Sequence, residues 1–83
     1  MHKIWFDVRT DPDSDFQNEY LYKVMDFLNQ YAASHDRFTY LRKETSRDYV
    51  EIDSFELCFP KSEDATQFKL VWPFNQSMLE ENH

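Results

Sequence analysis

Apolar and polar residues alternate at the start of the chain. Over residues 2–9, Ile4, Phe6 and Val8 share one parity, and Lys3, Trp5, Asp7 and Arg9 share the other. That period of two predicts a strand with one buried face. Residues 10–15 are polar and contain Pro12, and Ser14 followed by Gln17 reads as a capping box. The period then changes. Phe16, Tyr20, Val24, Phe27, Leu28 and Tyr31 recur at spacings of three and four, which predicts a helix to about Ser34 with one apolar stripe. Asp15, Glu19, Tyr22, Asp26 and Asn29 lie away from the stripe, and Glu19–Lys23 is a favourable i,i+4 pair.

His35 and Asp36 close this helix, residues 38–44 read as a second strand, and 45–48 carry turn chemistry. Residues 49–59 read as a third strand with a fault: Val50 and Ile52 have one parity, Phe55, Leu57 and Phe59 the other. A bulge near Asp53-Ser54, or a second turn there, would restore the register. Pro60 ends the strand. Ser62 can cap a short helix with Glu63 and Asp64 at its positive end, burying Ala65, Phe68 and either Val71 or Trp72, and Pro73 stops it. Residues 74–77 read as a short edge strand and 78–83 as a flexible polar tail, so the domain is expected over 1–77. The order β-α-β-β-α(-β) predicts a single α+β domain on the ferredoxin-like plan, an antiparallel sheet with helices on one face. The other sheet face would be open, with Trp5 on it.

Composition supports one core. Eight Phe, five Tyr and two Trp in 83 residues supply large buried surfaces. Cys58 is the single cysteine, so no internal disulfide forms. The early apolar run Ile4-Trp5-Phe6 is cut by Asp7, which does not fit a leader peptide, and no stretch approaches the ~20 apolar residues that span a bilayer. The expected location is the cytoplasm. There is no glycine, where average usage of ~7% would give about six. Phosphate loops, dinucleotide fingerprints and the nucleophile elbow need glycine at fixed positions, so their usual forms are excluded.

Candidate chemistry adds little. Asp11, Asp13 and Asp15 resemble the opening of a calcium loop, but Phe16 and Tyr22 stand where that loop needs Gly and Glu. Capping and helix-dipole effects explain the three acids better. His2, His35, His83 and Cys58 lack zinc-ligand spacing, and Cys58 alternates with large apolar residues as a sheet or core thiol does. The chain is therefore expected to be non-enzymatic, without metal or cofactor, and to act through its surface.

The net charge of −7 is unevenly laid out. Residues 10–36 hold six acids against Lys23, and 48–64 hold six against Lys61, while 37–47 carry Arg37, Arg42, Lys43 and Arg47 against Glu44. The simplest reading is that this basic arm pairs with its acidic neighbours across the sheet. The sharper one is a negative face that meets a protein with a basic surface and imitates a row of phosphates. Its candidate residues are Trp5, Asp11, Asp13, Asp15, Glu19, Tyr22 and Asp26. Exposed Trp and Tyr are frequent interface anchors. Two alternatives are self-association as a homodimer through the open sheet face, and RNA or nucleotide binding by the basic arm. The second is disfavoured by the charge sign and by the missing glycine of the usual RNA-binding signature.

One segment carries a resemblance. Glu63-Asp64-Ala65-Thr66-Gln67-Phe68-Lys69-Leu70-Val71-Trp72, following Phe55-Glu56-Leu57-Cys58-Phe59, resembles the strand-then-EDAxxFKLxW segment of small acidic accessory proteins of tailed bacteriophages. The likeness spans residues 55–72 and its motif is structural. It implies a viral protein in the host cytoplasm that inhibits a host factor, such as a nucleic-acid enzyme or a defence protein. It implies no catalytic residue.

Overall fold

The computed structural model describes residues 1–11, 13 and 15–81. Strand β1 spans His2–Thr10, helix α1 Asp15–Ser34, β2 Thr39–Arg47, β3 Val50–Phe59 and α2 Ser62–Val71; a 3-10 turn at Gln76–Met78 leads into β4, Glu80–Glu81. The four strands form one sheet in the order β2-β3-β1-β4, antiparallel at every pairing. With both helices on one side, this is the ferredoxin-like arrangement. Ser14 of the expected capping box lies outside the described residues. Its intended partner, the Gln17 side chain, accepts from the Asp11 N–H, and the Asp11 carboxylate accepts from the Asp13 N–H.

Alternation decides what is buried. Ile4, Phe6 and Val8 on β1 and Phe55, Leu57 and Phe59 on β3 face the helices, which pack chiefly over these two central strands. From α1 come Leu21, Val24, Leu28 and Tyr31, and from α2 Ala65 and Phe68, followed by Trp72. The expected stripe differs at one end: Phe16 is 79% exposed, and Leu21 is buried. At 100° per residue both lie well off the Val24 direction, but Phe16 falls in the first turn of α1. On α2, Trp72 and not Val71 completes the spacing begun by Ala65 and Phe68.

The expected bulge in β3 is absent. Pairing with β1 runs unbroken from His2↔Phe59 to Thr10↔Glu51, and with β2 from Thr39↔Cys58 to Arg47↔Val50. Register is kept because a polar residue takes the core parity: Asp53 is 3% exposed. Its carboxylate accepts from Arg42 Nε at 2.8 Å and lies 2.7 Å from a terminal guanidinium nitrogen. Two guanidinium nitrogens converging on the one oxygen Oδ1 offset much of the desolvation that a buried carboxylate would suffer alone. Val50 and Ile52 therefore lie on the open face.

The β2–β3 turn sits later than the sequence pattern predicts, at Asp48 and Tyr49, with φ of 53° and 67°. A two-residue hairpin with both φ positive matches the twist of the strands but is built for Asn-Gly or Asp-Gly. Tyr49 is 92% exposed and loses no packing when shortened. Tyr49→Gly is expected to raise stability by about 0.5–1 kcal/mol, relief of left-handed strain less the flexibility glycine brings. Thermal unfolding should shift upward by a few degrees.

The last strand is also displaced. Residues 74–77 do not form it. After Pro73, the Asn75 side chain accepts from the Ser77 N–H and caps a tight turn, so the chain folds back before it can extend. Pairing begins at Glu80 and Glu81, opposite Trp5 and Ile4, within the stretch expected to be a flexible tail. Asn82 and His83 of that stretch lie outside the described residues. Glu81 is fixed by Lys69 Nζ at 2.6 Å and by His2 Nε2 at 2.5 Å. The hydrogen bond from Lys69, and then that from His2, hold its carboxyl below the ordinary value of 4.5. A depressed carboxylate stabilises the fold fully above its unfolded value and loses that contribution as the pH falls through the folded one. The protection factors of the Glu80 and Glu81 amides, exchange rates corrected for the intrinsic slowing of exchange in acid, are therefore expected to fall once the pH drops below 4.5, ahead of global unfolding. Glu81→Gln should produce the same loosening at neutral pH.

Candidate protein-binding faces

Helical geometry gathers the acids of α1. At 100° per residue, Asp15, Glu19, Tyr22 and Asp26 fall within a sector of about 60° opposite Val24, and at 1.5 Å per residue the row is about 16 Å long. All four are exposed, Tyr22 by 69%. Asp26 also accepts from Gln30 Nε2 at 2.9 Å. Asp11 and Asp13 are exposed in the segment leading into the helix.

Trp5 does not join them. Its parity is opposite to that of Ile4, so it lies half-buried on the open sheet face, between Glu56 of β3 and Glu80 of β4. The sheet separates it from the acidic row, so the residues that the sequence grouped as one interface occupy two faces.

The faces differ in charge. The strand pairings place Lys3, Arg9, Lys43 and Arg47 on the open face with Asp7, Glu56 and Glu80, four cations against three acids. The remaining five cations and thirteen acids carry a net −8 of the total −7. Lys3 and Glu56 pair at 3.0 Å, and that hydrogen bond raises the Lys3 pKa. The basic arm is split by the pleat. Arg42 points to the helix side and is held across the sheet by Asp53 and within its own strand by Glu44, while Lys43 and Arg47 face the other way. Its cations therefore do not converge on one surface. Cys58 is half-buried on the open face, between Lys3 and Thr39 in the pairing.

Sequence reasoning missed a furrow between the helices. Phe27 and Tyr31 on α1 and Leu70 and Val71 on α2 line a shallow cavity of about 690 Å³. Leu70 is 79% and Val71 55% exposed. The signal was present: a helix that buries 65, 68 and 72 must turn 70 and 71 outward. Tyr31 stacks on His35 at 3.9 Å, and burial, reinforced by Asp64, raises its hydroxyl pKa. A second cavity of about 330 Å³ adjoins at Tyr31, His35 and Gln67, and Asp36, Arg37, Lys61 and Asp64 are among its lining residues. Among the described residues, no three His, Cys, Asp or Glu side chains gather as metal ligands, and no helix is long and apolar enough to cross a membrane.

Compared with known protein families, curated proteins and solved structures, the chain matches none significantly.

Proposed function

We propose that this protein is a non-enzymatic binding module that engages a basic surface on a partner protein through its acidic helix layer. The observation that supports this reading is the partition of charge, net −8 away from the open sheet face and +1 on it. A chain that used its charge only for solubility would have no reason to segregate it. The row Asp15, Glu19 and Asp26 spaces its carboxylates about 6–10 Å apart along a rigid helix. Such a row can attract cations that normally meet phosphates. The likeness to small bacteriophage accessory proteins fits an inhibitor that occupies the basic surface of a host nucleic-acid enzyme or defence protein, in the host cytoplasm.

Charges on exposed surfaces are screened beyond about 8 Å at physiological salt. Association with a partner captured from host extract is therefore expected to weaken at least about tenfold between about 50 mM and about 500 mM sodium chloride, most of it in the association rate. A dissociation constant that stays flat across that range would contradict the reading.

A further inference from the structure

We infer that the furrow between α1 and α2 receives the apolar edge of a basic amphipathic helix belonging to the partner. This inference rests on the binding reading above and names the partner's recognition element. Leu70 and Val71 are adjacent aliphatic residues, 79% and 55% exposed, with no share in the core, and the α1 wall beside them carries Phe27 and Tyr31. The furrow's walls are helical side chains and offer no free backbone edge for a strand, so ridges of a third helix are the complementary shape.

Its borders select charge. Asp26 is tied to Gln30, which itself lines the furrow, and Glu19 stands two turns earlier on the same helix. On α2, Glu63 precedes Gln67 and Leu70 at spacings of four and three, one ridge along the opposite wall. Against these acids stand Lys23, the single cation in α1, and Arg37 and Lys61 in the adjoining cavity, which Asp36 and Asp64 also line; Lys69 of α2 is engaged by Glu81. Apolar walls between carboxylates fit a helix with a leucine stripe flanked by lysine or arginine, and disfavour an acidic one.

The probe is a synthetic helical peptide of about five turns, with leucines at helical spacing on one side and lysines elsewhere. A control has the same composition in shuffled order. Titrated into the isotope-labelled full chain, the ordered peptide is expected to shift the amides of Gln30, Ser34, Gln67, Leu70 and Val71. The shuffled peptide should bind at least about tenfold more weakly. The double variant Leu70→Ser/Val71→Thr alters only exposed side chains. It should weaken binding about tenfold or more while leaving the salt dependence unchanged. Asp15→Lys/Glu19→Lys/Asp26→Lys should instead weaken binding and flatten that dependence.

Wild-type affinity in the Leu70/Val71 variant, equal binding of the two peptides, no shift at millimolar peptide, or shifts confined to the sheet face would each overturn the inference. If the Leu70/Val71 variant binds normally while charge reversal abolishes binding, the furrow is wrong and the acidic-face reading stands. If charge reversal has no effect, that reading fails.

Discussion

Replacing Phe68 with alanine is expected to remove about 3–5 kcal/mol of stability. Phe68 is fully buried, and its ring lies between 5.1 and 5.9 Å from those of Phe27, Tyr31, Phe38, Phe59 and Trp72. It joins α1, α2, β3 and the entry to β2 in one contact, and surrounding rings cannot collapse into the space a benzyl group leaves. For 83 residues, typical stabilities of about 0.05–0.15 kcal/mol per residue give roughly 4–12 kcal/mol in total. The substitution should thus remove a quarter or more of it, and most of it at the low end of that range. Phe16→Ala, a change of the same size at a position 79% exposed, should cost no more than about 0.5 kcal/mol. Urea unfolding of the two variants measures the contrast. Similar midpoints would mean that the core is not centred on Phe68.

The largest functional effect is expected from Asp15→Lys/Glu19→Lys/Asp26→Lys. Three reversals move the net charge from −7 to −1 and replace attraction with repulsion along the whole row. Exposed charge contacts are worth about 0.2–1 kcal/mol each, and reversal counts both the lost attraction and the new repulsion. Association should fall roughly a hundredfold at low salt, about 2–3 kcal/mol. Circular dichroism and the unfolding midpoint should change little, because all three side chains are exposed. Lys43→Glu/Arg47→Glu, on the opposite face, should leave the affinity within about threefold. Because Lys43→Glu/Arg47→Glu moves the net charge from −7 to −11, a gain in affinity from it as large as the loss from the triple reversal would show that net charge alone matters and not its placement.

Periodicity carried most of the fold because the elements with long, clean patterns are those packed on a core. Residues 2–9 and 15–34 were legible for that reason. The sequence pattern failed where a single polar contact overrode it. Asp53 breaks the alternation of β3, and only the cross-strand Arg42 makes that position tolerable without a bulge. The hairpin hid because Asp48-Tyr49 lacks the glycine that marks such turns. β4 hid because two acidic residues have no apolar pattern, and their place depends on Lys69 and His2, distant in the chain. The acidic row of α1 could be read from helical spacing alone. That Trp5 lies on the far side of the sheet followed from parity. The furrow required both helices at once, since each contributes only one wall.

The most direct test of the central claim is amide hydrogen exchange on the complex with the captured partner, compared with the free protein. Slowed exchange is expected along α1 and α2, centred on Glu19–Gln30 and Gln67–Val71, with Trp5, Leu41 and Lys43 unchanged. Protection confined to Trp5, Leu41, Lys43 and their strands, with both helices exchanging as in the free protein, would contradict it.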